Sequence, residues 1–535
     1  MAMFQGAEVT DSSRPAGQPA PPVCPAFIRI VAGLLCLAAG FTAVTAVLNA
    51  RRTYGYDHGW SSAAFSTIAR AYVRHGVFQL GFVPVQNNDP LAEPDVYIHW
   101  PPLFPLTVAG VFSVFGESEA SAHTLMLFLV LLNAALIYYL CLLTMSRVAA
   151  IIAAFAFLTL PNVVGYAHLV ETVSPGSALM LAALIGFQKS AGDAAQRWWR
   201  RSGYVFLAAA AATNWESGLA GFGLLAAAWV TRNPGERAMA WRAILVSAAT
   251  AAVILGWYAI HSPAHVTDLL EVVRYRAGLS PQYTSHLLLR NAVAPHLGLL
   301  ERIGLIAAHT LHMWGLVALG ALVYTWHDLL ERVRAHRYPA WFGAFAAFLA
   351  GGILWGIAMS NHMAIHEYQQ WPVLPAGAMA MGWAGAAVLE RLSESRDRFL
   401  LVHGAALVLA LGAYLMLPSA RALWHTVRHS GPEGVATPGV KVEFGWDIKR
   451  NTPQGSVVVT PEDSMVPVYY SERHVVRAIL DDADLASVLP EIKRLFGAYP
   501  LYLAIPRGAE TSFAATLRSH PVMTRTARAA FVKLW

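Results

Sequence analysis

The sequence predicts a mainly α, polytopic transmembrane helical bundle with a small α/β domain at its C-terminal end. Three observations lead there. Of 535 residues, 56% are hydrophobic and 13% charged, whereas soluble domains carry about 25% charged residues. Long apolar runs recur through the first four-fifths of the chain, and in a hydrocarbon layer about 30 Å thick such runs must be helical, because lipid leaves no water for unpaired backbone groups. After Pro418 the pattern changes to short β-branched runs alternating with helical spacing.

In order, residues 1–26 are rich in Pro, Ser, Ala and Gly, without a compact basic region or a cleavage site after the first apolar run, which predicts a disordered cytoplasmic tail before an uncleaved first helix. The expected spans are 27–49, 124–144, 149–166, 175–188, 203–213, 217–231, 241–260, 303–325, 340–360, 372–389 and 399–417, about eleven in all. The pair 203–213 and 217–231 is short, so the two either cross or dip together around Asn214-Trp215-Glu216. Pro102–Gly116 is opened by Pro101-Pro102 and interrupted by Pro105, which suits a re-entrant or interfacial helix. Ala63, Ile68, Ala71, Tyr72 and Val73 give a loosely amphipathic helix expected at the interface. The transmembrane domain is thus 27–417, with long polar loops 50–101 and 261–302. In the tail domain, 418–535, Val457-Val458-Val459 and Leu501 to Ile505 read as strands, and 484–496 and 509–519 as helices.

Lys and Arg in short loops mark the cytoplasmic side. Lys189, Arg197, Arg200 and Arg201 mark one such loop, Arg232, Arg237 and Arg242 a second, and Arg332, Arg334 and Arg337 a third. They alternate with 166–174, 214–216 and 361–371, which contain neither residue. That count places the N-terminus inside and both long loops and the tail outside, with Arg51 and Arg52 outvoted. The net charge of +6 resides in these clusters rather than along one face, so no nucleic-acid partner is expected. Cys24, Cys36 and Cys141 lack metal-ligand spacing and suggest no disulfide framework.

The chemistry-bearing residues gather in the outer loops. The first loop opens Tyr54-Gly55-Tyr56-Asp57-His58-Gly59-Trp60 and closes Tyr97-Ile98-His99-Trp100-Pro101-Pro102-Leu103. An acid just past a transmembrane helix and wrapped in aromatics is placed to take a proton from a hydroxyl at a membrane-borne substrate. Asp57 also reads as a solvated loop residue, and His99 as a turn cap. Glu171-Thr172 ends a span, where snorkelling acids are common. Arg274 and Arg276 suit phosphate, or a solvated amphipathic helix over Leu269–Ala277. His362 and His366, four apart with Glu367 and Tyr368 next, share a helix face; two ligands do not make a metal site. Trp215 and Glu216 either line the same space or cap an intramembrane turn.

On these residues the sequence resembles the GT-C superfamily, specifically bacterial glycosyltransferases similar to protein O-mannosyltransferases and to the aminoarabinose transferases of lipid A. The resemblance rests on Asp57 followed by Tyr97-Ile-His-Trp-Pro-Pro-Leu103, on Glu171-Thr172, on His366-Glu367-Tyr368 with Pro372 and Pro375, and on Tyr469-Tyr470-Ser471-Glu472-Arg473. It covers about residues 25 to 480. It implies a multi-pass protein of the bacterial inner membrane with an extracytoplasmic tail. It further implies a polyprenyl-phosphate sugar donor, an inverting transfer and Asp57 as general base; Tyr56, His58, His99, Glu171, Arg274, Arg276, His366, Glu367 and Tyr368 are the substrate contacts expected from their chemistry and their place in or beside the outer loops. The acceptor is a protein, lipid or glycan hydroxyl; membrane lipids are the other partner, and neither cofactor nor metal is required. Two departures stand out: His58 follows Asp57 where the family often has a second acid, and Asn214-Trp215-Glu216 replaces a lysine common near the sixth span. A transporter or lipid-carrier translocase is disfavoured because the acids cluster at outer ends and in loops, whereas a non-catalytic scaffold stays open.

Overall fold

The computed structural model describes residues 25–50, 52–56, 58–89, 94–190, 196–280, 297–394, 398–429 and 439–535. Asp57, the N-terminal stretch 1–24 and part of the second long loop, 281–296, lie outside them. Among the described residues six segments are long and apolar enough to cross a membrane: Ile28–Asn49, Glu119–Thr144, Pro234–His261, Leu299–Arg334, Glu367–Glu394 and Val402–Trp424. They make this a multi-pass membrane protein.

The helices follow the apolar runs but end where backbone chemistry dictates. The first, α1 (Pro25–Asn49), packs on the late helix α16 (Arg398–His429), which runs past Pro418. The expected span 149–166 is divided at Pro161 into α5 (Arg147–Thr159) and α6 (Pro161–Tyr166), since proline cannot continue the ladder of a preceding helix. Between α1 and α5 lie α2 (Gly59–His75), α3 (Leu103–Phe115) and α4 (Glu119–Thr144). At 13 residues, α3 is only about 20 Å long and too short to cross the bilayer. After α7 (Val173–Lys189) come α8 (Arg197–Ala211), a 3-10 turn Glu216–Leu219 and α9 (Ala220–Val230), so the two short spans meet at Asn214-Trp215-Glu216. Next, α10 (Pro234–His261) leads into α11 (Pro263–Arg276), and α12 (Leu299–Arg334) is interrupted at Gly315, whose φ of 72° leaves the helical region. The bundle closes with α13 (Phe342–Ala358), α14 (Ser360–Ile365), a 3-10 turn Glu367–Val373 and α15 (Leu374–Glu394). The main apolar core lies where α15 packs on α5 and α12, and α7 on α4 and α8.

The tail forms a five-stranded sheet in the order β2-β1-β3-β5-β4, namely β1 (Val457–Val459), β2 (His474–Val476), β3 (Leu501–Pro506), β4 (Val522–Arg525) and β5 (Ala529–Lys533). The first three strands are parallel, with Val458 opposite both Val475 and Tyr502, and β5 runs antiparallel to β3 and β4. Its helices are α17 (Val440–Asn451), α18 (Met465–Ser471), α19 (Asp482–Phe496) and α20 (Ala514–Ser519).

One expectation needs correction. Helix α2 is not an exposed interfacial helix: Ser61 to Tyr72 are buried without a break. Its Ala- and Ser-rich surface lets α3 and the tail helix α18 close over it from both sides.

Candidate active site

The loop that opens the first polar segment is braced by the tail. Tyr54 is fully buried, its hydroxyl 2.7 Å from Ser66 Oγ, and its N–H donates to the Tyr470 hydroxyl at 2.9 Å. A Cβ on Gly59 would overlap the Tyr54 carbonyl oxygen, so the turn closes only with glycine there. His58 sits at φ 59°, ψ 7°, a left-handed conformation uncommon outside glycine. That turn sends neighbouring side chains different ways. Tyr56 bonds Ser62 Oγ at 2.9 Å and packs on His168, with the Arg52 guanidinium 5.1 Å from its ring centroid. His58 enters an aromatic box of Tyr368, His366 and Tyr166, at centroid distances of 5.1, 5.6 and 5.7 Å.

Beside this box lies a cavity of about 400 Å³ built from four parts of the chain. The first loop supplies Trp60, Asp95, Tyr97 and His99, α11 supplies His265, Asp268, Val272, Tyr275 and Arg276, and the α14 region supplies His362 and His366. The tail closes the far wall with Lys441, Asp463 and Arg477. On α11 the lining positions recur every three or four residues, which puts them on one face. Arg274, two residues from Arg276, therefore points about 200° away, and it is exposed. The expectation that Arg274 joins Arg276 at a phosphate is corrected by that geometry.

Two buried cations line the cavity, Arg276 and Arg477, and Arg477 pairs with Asp95 at 3.5 Å. Arg276 is 9% exposed and lies 5.1 Å from the Trp100 ring centroid. It makes no ion pair among the described residues. Burial, reinforced by Arg276 and His265, holds the His99 imidazole well below its ordinary range. His362 is lowered by burial, Arg276 and its histidine neighbours, and His366 falls to about 3 through burial, His58 and Arg276. The imidazoles are thus neutral hydrogen-bonding groups around the Arg276 guanidinium. His362 Nε2 and His366 Nδ1 have no hydrogen-bond partner, and their rings lie 4.7 Å apart. No group of three or more His, Cys, Asp and Glu among the described residues converges to hold a metal ion.

Three other expected contacts stand behind the cavity wall. Glu171 is buried and accepts from the Ser61 hydroxyl and from Thr172; burial raises its carboxyl, an effect these bonds and Arg276 oppose. Glu367 accepts from the Tyr166 hydroxyl and lies 3.9 Å from His309 Nε2. Tyr368 is buried against His58 and Tyr166. His99, Arg276 and His366 are therefore the expected residues that line the cavity itself. The reading of the sequence missed His265 and Asp268, which the spacing along α11 would have flagged, and Asp95, Lys441, Asp463 and Arg477, for which no local pattern exists.

This architecture has known counterparts. ArnT from Cupriavidus metallidurans, crystallised bound to undecaprenyl phosphate, superposes with a TM-score of 0.59 at 16% identity, covering 95% of this chain and 97% of that one. The chain shares the fold of that protein. The archaeal oligosaccharyltransferase AglB from Archaeoglobus fulgidus, in complex with an inhibitory peptide and a dolichol-phosphate, matches with a TM-score of 0.54 at 13% identity, over 89% of this chain and 69% of that one. No family model and no curated protein sequence matches. At these identities the likeness concerns architecture alone. What the cavity does has to be argued from its own residues.

Proposed function

We propose that this protein transfers a sugar from a polyprenyl-phosphate donor to an acceptor hydroxyl on the extracytoplasmic face, with about eleven spans, a cytoplasmic N-terminus and the tail outside. The observation that carries the reading is Arg276, a buried guanidinium without an ion-pair partner among the described residues, stacked on Trp100 at the wall of a cavity roofed by the tail. A phosphate is the natural counter-ion for such a planar donor, and ArnT, which shares the fold, was crystallised with undecaprenyl phosphate.

In this reading the donor phosphate lies on Arg276, and neutral His99, His362 and His366 exchange hydrogen bonds with phosphate or sugar hydroxyls. Asp57 takes the proton from the acceptor hydroxyl as its oxygen attacks the anomeric carbon. The bond to the phosphate oxygen breaks in the same step, the polyprenyl phosphate leaves with its charge held by Arg276, and the anomeric configuration inverts. The phosphate is already a competent leaving group, so catalysis consists of positioning, one deprotonation and charge stabilisation. No cofactor or divalent metal enters this scheme. The tail side chains Lys441, Asp463 and Arg477 stand where the acceptor would approach. The test is Asp57→Asn in reconstituted enzyme with a lipid-linked sugar: folding persists and transfer falls by about a thousandfold or more. Unchanged transfer removes Asp57 from the chemistry and favours another base.

A further inference from the structure

The first long loop leaves α2 through a turn, residues 76–83, that reads Gly-Val-Phe-Gln-Leu-Gly-Phe-Val and carries no charged side chain. Its backbone groups pair within the turn: the Leu80 N–H donates to the Gly76 carbonyl at 3.1 Å, Phe82 to Val77 at 3.1 Å and Val83 to Leu80 at 3.0 Å. Phe82 holds φ 59°, uncommon for a bulky residue, and its carbonyl accepts from the Tyr72 hydroxyl at 2.9 Å, which ties the turn to buried α2. The turn is therefore fixed, yet the Phe78 side chain at its tip is 86% exposed, meeting Phe82 edge-on at 5.2 Å between ring centroids. A braced loop that holds up an aromatic ring forfeits a large apolar burial unless something apolar covers that ring.

The neighbour of the turn is the end of a membrane span. Trp257 Nε1 donates to the Gly81 carbonyl at 2.6 Å, and the Trp257 ring stacks on His261, which a Cβ at Gly81 would touch. Both residues lie in the last turns of α10, a helix long and apolar enough to cross a membrane, where Val253, Trp257 and Ile260 are exposed at 71%, 40% and 74%. That exposed face is the surface α10 offers to lipid, and the turn continues it past His261. A tryptophan at this level marks the boundary between acyl chains and headgroups, and a loop whose backbone groups are already paired enters that boundary without the usual penalty. We propose that the 76–83 turn dips into the leaflet in which α10 ends, Phe78 foremost, with lipid acyl chains as its partner. An insertion of about 5–10 Å is enough. The first loop is then held to the bilayer by an element that does not span it, and α2 is fixed at one height through Tyr72. The inference is independent of the transferase reading.

The experiment uses the full chain in nanodiscs, with Cys24 and Cys36 replaced by Ser and the buried Cys141 kept. A nitroxide is attached in turn at Phe78→Cys, at Ile260→Cys and, on the exposed surface of α19, at Lys493→Cys. Power-saturation EPR compares collisions with oxygen, which concentrates among acyl chains, and with a water-soluble nickel complex. The expected result is that the label at 78 behaves as the label at 260 does, favouring oxygen, while the label at 493 favours nickel. In the unlabelled wild-type chain, a lipid with a diazirine near the head of its acyl chain gives adducts within 76–83, and Phe78→Asp removes them while leaving those on α10. Nickel access at 78 equal to that at 493 puts the turn in water and overturns the proposal. Protection of 78 from both probes overturns it as well, since a second copy of the chain or another protein then covers the turn.

Discussion

Replacing Arg276 by Gln removes the positive charge beside Trp100 while keeping a polar side chain of similar reach. The guanidinium is buried and stacked on Trp100, so little solvent screens it. A charge-assisted contact to a phosphate oxygen in such a site is worth about 3 kcal/mol net, although the bare Coulomb term at contact is about 4 kcal/mol even at an effective dielectric of 20. Three kcal/mol is roughly two powers of ten in Kd. Titrating purified protein with a polyprenyl phosphate by microscale thermophoresis measures it directly, with Tm confirming the fold. Arg276→Lys keeps the charge but loses the fork and the planar stack, and the expected loss is about tenfold. Arg274→Gln, on the exposed opposite face of α11, changes affinity by less than about twofold. Wild-type affinity in Arg276→Gln, or an equal loss in Arg274→Gln, refutes the assignment of the phosphate to Arg276.

Arg477→Ala raises the acceptor KM by about tenfold and leaves polyprenyl phosphate binding unchanged, because Arg477 reaches the cavity from the tail and pairs there with Asp95 at 3.5 Å; a donor defect instead would misplace the acceptor side. The fold binds fewer protons at His366 than the unfolded chain does between the ordinary histidine pKa near 6.5 and its folded value of about 3. Stability therefore falls as pH drops through that window, and His366→Phe makes the Tm profile flatter there. Gly59→Val forces a side chain onto the Tyr54 carbonyl and costs about 2–4 kcal/mol, read as a lower Tm together with lost donor binding.

The bundle was legible because the bilayer permits so few backbone solutions. Apolar length alone located the helices, and Val457-Val458-Val459 located β1. The interruptions were less legible: Pro161 divides a run whose hydropathy is continuous, and Gly315 breaks α12 through its backbone angle rather than its composition. Helix α2 was misjudged because a run of Ala and Ser looks the same whether water or protein covers it, and here α3 and α18 cover it. The site divided along the same line. His99, Arg276 and His366 announced themselves as polar groups beside apolar spans, and the periodicity that separates Arg274 from Arg276 was present in the sequence. The wall made by Lys441, Asp463 and Arg477 arises when the two ends of the chain meet, and no short window encodes that meeting.

The hydrogen bond from the Tyr54 N–H to the Tyr470 hydroxyl joins residues 416 positions apart. Arg70 adds a second such link, donating to the Tyr469 carbonyl at 2.6 Å with its guanidinium 4.0 Å from that ring. A ribosome thus makes the loop 416 residues before the residue that braces it. A chain shorter than 469 residues has the first loop and α2 but neither of the partners that brace them.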